Sequence, residues 1–405
     1  MPTAPTDLPA DLPPPWTLEG YRDPHPWMAR MLEERPVAFD PESGVWHVFR
    51  YADVQAFYRE TNDWSTARRM QHIPEEQRVA RLLTTDPPDH KPLRELFSRA
   101  YRPRRMQGME PRVRGVCVGL IDAALARGQL DVVADLAAPL AAAMIRDLLG
   151  VPEEDESRFR VHFETLGELK SEKDPDSRML LYMGGAAAGD HRAATEYFRE
   201  LIARRRVEPR DDMVSDLARI PAENFEGRLD VGALLNEQLG AGQNTTVHLI
   251  GGMMALFLEH PEQFEKVRAR PELVDSAVEE TLRYASPLQA RPRLSARALS
   301  IHGARIPDDA QGLGWIQAAN LDPRVFRDPL HFDVTRSPNH HLAFGYGEHF
   351  CLGAWLARCA ARVALQEWIA RVGNFEPLAA GSIERVPDFI VRGPIRVPVA
   401  VTAAA

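Results

Sequence analysis

The run from His341 to Gly353 constrains this chain more than any other stretch. Three glycines, three aromatic residues, two histidines and one cysteine crowd into it. Directly after it, Leu352, Trp355, Leu356, Cys359 and Val363 recur at the spacing of a buried helical face. Cys351 is therefore expected at a helix N-terminus, where free N–H groups and the macrodipole favour a thiolate over a thiol. Gly345, Gly347 and Gly353 remove side chains where a flat ligand would have to approach the backbone closely. The competing reading is a small buried cysteine in a glycine-rich turn, a common fate of free cysteines.

A thiolate held under a flat ligand is what axial ligation of haem iron requires. Phe344, Gly347, Cys351 and Gly353 fill the pattern Phe-x-x-Gly-x-x-x-Cys-x-Gly. The stretch resembles the haem-binding loop of the cytochrome P-450 superfamily. That resemblance implies a mainly α fold with a minor β region. In it, haem b lies between a long central helix and the Cys-bearing loop–helix, with Cys351 as axial ligand of the iron.

Composition excludes several other classes. The 405 residues are 44% hydrophobic and 26% charged, ordinary for a globular chain. A formal charge of −9 argues against nucleic acid as a partner. Cys117, Cys351 and Cys359 form no C-x-x-C pair and no disulfide framework, which points to a reducing, cytoplasmic setting. No apolar run is long enough for a membrane span or a signal peptide. No linker or repeat divides the chain, so residues 1–20 are expected as a flexible Pro-rich lead-in and 21–405 as a single domain.

Read in order, the sequence predicts a helix over 26–34, a hairpin from Val37–Phe39 and Val45–Phe49, and a helix over 52–60. The interval 64–84 is polar, Arg-rich and without period. Asp86 or Asp89 is expected to cap a helix on which His90 and Arg94 share one face. Arg99, Arg102, Arg104, Arg105, Arg112 and Arg114 face one acid, Glu110, a basic cluster suited to an acidic partner or to a solvated surface. Residues 109–150 and 152–210 read as helices, with Gly184–Gly189 as either a mobile lid or a plain surface loop. Val231–Glu259 reads as the central helix. Gly242 within it costs about 1 kcal/mol relative to Ala, so close approach of a ligand is expected there. Thr245 is expected to bond back to the carbonyl four residues earlier. Glu280 and Arg283 share a helix face. Ile301–Pro307 and Trp315–Ala319 read as strands, and the segment Pro387–Val401 as β-like.

The resemblance assigns further roles, residue by residue. His90, Arg94, Arg293 and His349 would hold the haem propionates, with Arg291 competing for the place of Arg293. Ala241, Gly242, Asn244 and Thr245 match an oxygen-binding groove, in which Thr245 would hydrogen-bond dioxygen and water. The family has an acid where Asn244 stands, and Asn cannot ionise, so the acid relay is in doubt. Glu280, Arg283 and Arg336 would form a structural clamp behind the haem. Gln238, Gln243, Leu288, Ala290, Phe389, Ile390 and Val391 would meet substrate. Where the family has Pro-Ala-Gly, this chain has Pro307-Asp308-Asp309.

The activity implied is monooxygenation: insertion of one oxygen atom from dioxygen into an apolar organic substrate by hydroxylation or epoxidation. Electrons would come from a separate ferredoxin and ferredoxin reductase, docking near the arginine cluster. Asn244 keeps a hydrogen-peroxide-driven peroxygenase open. A non-catalytic haem sensor or carrier is a further alternative, and a nucleophilic or zinc-bound Cys351 another, although only His349 stands near as a second zinc ligand.

Overall fold

The structure, a computed structural model, describes residues 8, 12–72, 81–159, 192–220, 230–385 and 388–404. Gly184–Gly189, part of the 64–84 interval and part of the N-terminal lead-in lie outside the described residues.

Helices dominate: α1 (Leu18–Arg22), α2 (His25–Glu34), α3 (Tyr51–Arg59), α4 (His90–Ser98), α5 (Pro103–Arg127), α6 (Ala138–Leu149), α7 (Arg192–Val207), α8 (Met213–Ala218), α9 (Val231–Glu259), α10 (Pro261–Ala269), α11 (Val274–Tyr284), α12 (Ile316–Ala319) and α13 (Ala354–Arg371). The strands are β1 (Val37–Asp40), β2 (Val45–Val48), β3 (Trp64–Ser65), β4 (Gln129–Asp131), β5 (Ala290–Ser295), β6 (Leu299–Ile301), β7 (Ala304–Ile306), β8 (Gln311–Trp315), β9 (Val372–Pro377), β10 (Glu384–Arg385), β11 (Pro394–Arg396) and β12 (Pro398–Ala403).

The central helix α9 begins and ends where the sequence predicts. Asp230 caps it by accepting the Ala233 N–H, and Pro261 opens the next helix just beyond its end. Its apolar residues point all round, so it is enclosed by neighbours. It packs against α6, α7, α11 and α13 in one continuous core. A five-stranded sheet, β1-β2-β8-β5-β3, stands to one side, with β2 and β8 parallel and the other pairs antiparallel. Among the described residues no helix is long and apolar enough to cross a membrane.

Several expectations are corrected. The helix over 109–150 is interrupted: Gly128, at φ +71°, ends α5, and β4 pairs with β12 from the far end of the chain. Ile316–Ala319 is a helical turn, not the continuation of a strand. Residues 12–20 are not a free lead-in. Trp16 packs its ring among Trp27, His47, Trp315 and Phe389. That burial fixes a segment whose prolines alone would leave it extended.

Candidate functional site

The Cys351 loop is closed by its own backbone: the Cys351 N–H donates to the Phe344 carbonyl at 3.0 Å. Gly345 and Gly347 both have φ +74°, which L side chains resist. A Cβ on Gly347 would also press on Arg59 Cα at 3.1 Å, so this glycine fits the loop to α3 rather than to a ligand. Arg94 Nη1 and Nη2 donate to the carbonyls of Glu348 and Phe350 at 2.8 and 2.7 Å, fixing the two residues on either side of His349. Arg358, from the first turns of α13, lies 4.4 Å from the Phe344 ring centre and forms a two-point bond to Glu279.

Cys351 is surrounded by protein yet exposed to an open space. Burial pushes its thiol up. The Gly353 N–H and the charges of Arg94, Arg291 and Arg358 pull the other way without prevailing. The expected thiolate preference is therefore reversed in the chain by itself: the helix end and three cations do not outweigh desolvation. On α9, Ala241 is exposed although Leu239 and Gln243 beside it are buried. A Cβ on Gly240 would meet nothing within 4 Å. Thus α9 borders open space at Gly240 and Ala241. Thr245 Oγ1 donates to the Ala241 carbonyl at 2.8 Å, as its position predicts. Gly242 is corrected: a Cβ there would come within 3.2 Å of Ile145 Cδ1, so its smallness serves helix packing.

His90, Arg94, Arg293 and His349 come together from three separate parts of the chain. The His90 and His349 ring centres are 4.2 Å apart. His90 Nε2 and His349 Nε2 are buried without a hydrogen-bond partner. Burial lowers both imidazoles, His90 to about 4, so both are neutral at pH 7. Arg293 is buried on β5, with Nη1 donating to the Phe57 and Trp64 carbonyls at 3.0 Å each.

Asp86 is not a helix cap. Its carboxylate takes the Ser65 hydroxyl and the Thr66 and Ala67 N–H groups, and stands 3.7 Å from His349 Nε2. Asp89 holds the cap position of α4 without a side-chain bond. The sequence reading also missed Glu237, whose carboxylate accepts the Leu82 and Leu83 N–H groups at 2.9 and 3.0 Å and so ties the 81–84 segment to α9. An acid one turn before Ala241, the one carboxylate in α9 ahead of its last residue, was the available signal.

Glu280, Arg283 and Arg336 converge. Glu280 takes Arg283 Nε and Nη2 at 2.8 Å each and Arg336 Nε at 3.0 Å, with Asn339 Nδ2 and the Asp333 N–H completing its shell. The remaining guanidinium donors reach carbonyls of Asn320, Pro329, His331, Arg327 and Asp328.

The residues expected to meet substrate divide. Ala290, Phe389 and Ile390 are enclosed in the core with Trp27 and Trp315, leaving no face for a ligand. Val391 is buried and bridges to Leu288, which stays half-exposed. Gln238 accepts from the Tyr101 hydroxyl at 3.1 Å, and Gln243 is buried. Of the arginine cluster, Arg105, Arg112 and Arg114 are tied to Asp211, Asp216, Asp147, Glu110 and Glu367. Arg99, Arg102 and Arg104 are exposed. Among the described residues no three His, Cys, Asp or Glu side chains converge as a metal donor set, which leaves the zinc reading of Cys351 without support there.

The family model described as Cytochrome P450 matches residues 43–373. Cytochrome P450 109 of Bacillus spizizenii is 32% identical over 388 residues, 94% of this chain and 92% of that protein. Erythromycin C-12 hydroxylase of Saccharopolyspora erythraea is 35% identical over 354 residues, 86% of this chain and 87% of that one. The solved structure of cytochrome P450 CYP109Q5 from Chondromyces apiculatus superposes with a TM-score of 0.84 at 30% identity, covering 96% of this chain and 98% of the other. With likeness running through nearly its whole length, in sequence and in fold alike, the chain belongs to the cytochrome P450 family of monooxygenases.

Proposed function

We propose that the chain holds haem b between the Cys351 loop and α9 and inserts one oxygen atom from dioxygen into an organic substrate, by hydroxylation or epoxidation. The observation that carries this reading is the thiol of Cys351 opening on space in a loop pinned by Arg94, with α9 open at Ala241 beside the Thr245 back-bond. The name of the hydroxylase relative supports the reaction class.

The residues fit haem on two grounds. The orphaned Nε2 atoms of His90 and His349 ask for an acceptor, and a propionate carboxylate is one. Arg293 adds a buried guanidinium whose charge acts on both imidazoles. Haem bound there supplies the redox chemistry that activates dioxygen. Cys351 Sγ would hold the iron, with the Gly353 N–H and Arg94 favouring its negative charge. Thr245 keeps its proton on the Ala241 carbonyl; turned into the open space, Oγ1 can donate to dioxygen or water. Asn244 can hydrogen-bond but cannot relay a proton.

Electrons would arrive from a ferredoxin and its reductase. Arg99, Arg102 and Arg104, together with the exposed Tyr346 and Phe350 of the Cys351 loop, offer a cationic and apolar docking face. The reduced, CO-bound protein is expected to give a thiolate-type Soret band, and a ferredoxin pair with dioxygen to give oxygenated products. Absence of that band removes the reading. Asn244 favours a second one, turnover driven by hydrogen peroxide. Asn244→Asp is expected to raise product per electron under dioxygen; flat coupling would favour the peroxide route.

A further inference from the structure

The Leu82–Thr84 turn is held from a distance. Its N-cap residue, Arg81, makes no side-chain cap bond, so the turn's leading N–H groups have no local acceptor. Glu237 of α9 takes that role: Oε2 accepts the Leu82 N–H at 2.9 Å and Oε1 the Leu83 N–H at 3.0 Å. Burial pushes the Glu237 carboxyl up, against the pull of these two N–H groups and of the charges of Arg81 and Arg291. An enclosed acid is costly, and a Ser or Asp in place of Arg81 would satisfy such donors without one. What a local cap could not do is join the turn to α9.

The place of the join gives it a consequence. Glu237 and Ala241 lie four apart and share one face of α9, which borders open space at Gly240 and Ala241. The turn therefore stands at the N-terminal end of that open stripe, with Leu82 packed into the core and Leu83 half-buried. Its other side is fixed as well. The Leu83 carbonyl accepts the Thr66 hydroxyl at 2.9 Å, and the Thr66 N–H donates to Asp86, the acid beside His349. Thr85 Oγ1 donates to the Arg81 carbonyl at 2.7 Å and closes the segment on itself. The turn thus spans from α9 to the imidazole cluster, and Glu237 attaches it on the α9 side.

We propose that Glu237 is a positioning residue for ligand binding: its carboxylate latches the Leu82–Thr84 turn to α9, making the turn a fixed wall that retains organic molecules beside Ala241. This rests on the haem-thiolate reading and adds to it a residue that acts through Leu82 and Leu83 rather than by touching substrate. A staple serving stability alone would be blind to the size of the ligand, and the experiment separates the two.

The holoenzyme is mixed with imidazole and with 4-phenylimidazole, a small and a bulky ligand of haem iron, and release is followed by the haem absorbance shift. Glu237→Ala is expected to speed release of 4-phenylimidazole about tenfold or more and to leave imidazole unchanged. Glu237→Gln, whose amide oxygen can still take one N–H, is expected to fall between wild type and Glu237→Ala, which separates a lost latch from a damaged fold. Hydrogen exchange on the same proteins is expected to show the Leu82 and Leu83 amides losing protection in Glu237→Ala. If both ligands change alike, or neither changes, the positioning role is overturned. If the two amides exchange as in the wild type, the latch itself is overturned. Should Glu237→Ala fail to fold, Glu237→Gln carries the same comparison between the two ligands. The CO-bound spectrum of the wild type tests the underlying haem-thiolate reading separately: with the band present, a response blind to ligand size counts against Glu237 alone.

Discussion

Two polar clusters lie within this fold, and they differ in completeness. Around Glu280 the donors described above all have acceptors: one carboxylate is shared by Arg283 and Arg336, and the spare guanidinium donors end on backbone carbonyls. Around His90 and His349 two ring nitrogens are buried with no partner at hydrogen-bond distance, the Asp86 carboxylate standing 3.7 Å from one of them. A polar group enclosed without a partner costs free energy, whereas a satisfied network sets a unique geometry. The first cluster is finished by the chain alone and reads as structural. The second is left unfinished by the described residues, in keeping with the haem site proposed above.

The largest effect is expected from breaking the finished cluster. Glu280→Gln would leave the guanidiniums of Arg283, fully enclosed, and Arg336, nearly so, without their anion. Removing one partner of a buried pair costs about 3–5 kcal/mol. Urea unfolding should show a loss of that size; a loss under about 1 kcal/mol would mean that the carbonyls alone hold the arginines. The unfinished cluster should respond in the opposite sense. His90→Leu removes an orphaned polar atom, so the haem-free chain should change by less than about 1 kcal/mol. Haem, in contrast, should leave about tenfold faster to a haem scavenger. Unchanged haem release would erase the distinction drawn between the clusters.

How much of each cluster the sequence revealed follows from the same contrast. Glu280 and Arg283 lie three apart on one helix, so spacing suggested that pair, but Arg336 and the clamp as a whole came from the resemblance to a known family. The proposed propionate group was named residue by residue through its resemblance to a known family. Its supports were not. Asp86 ties the 65–67 segment through Ser65, Thr66 and Ala67 and stands 3.7 Å from His349, bringing three segments together, and Asn320 links Leu342 to Ser286, by contacts that no periodicity records. The break at Gly128 escaped for a related reason: β4 owes its existence to β12, far away in the chain. Phe389 and Ile390 were assigned to substrate by family position, and an aromatic core built around Trp16 and Trp315 absorbed them.

A third kind of buried polar group, the neutral histidine, sharpens the contrast through pH. His47 accepts the Trp315 indole N–H at 2.9 Å, and burial lowers it to about 4; burial and Arg392 lower His25 to about 3. Both titrate near 6.5 in the unfolded chain, so below that pH the unfolded state binds more protons than the folded one. Stability contributed by their neutrality is therefore complete above about 6.5 and falls as pH drops toward the folded values. The slope is about 1.4 kcal/mol per pH unit for each histidine. Urea unfolding at pH 7 and pH 5 should show wild type losing about 2 kcal/mol more than His47→Gln does. Equal losses would mean that His47 is already charged in the fold.

The smallest effect tests whether enclosure, rather than pairing itself, sets the clamp apart. Arg30 Nε and Glu34 Oε2 are 3.0 Å apart at i, i+4 on α2, with the Glu34 side chain half in solvent. Their separation is close to that of Glu280 and Arg283, but water screens both charges. Glu34→Gln should therefore cost about 0.3 kcal/mol, and less at high salt. A cost approaching that of Glu280→Gln would show that geometry alone governs these pairs. A cost near zero, beside several kcal/mol at Glu280, would assign the clamp's strength to the penalty of stranding Arg283 where no water can reach it.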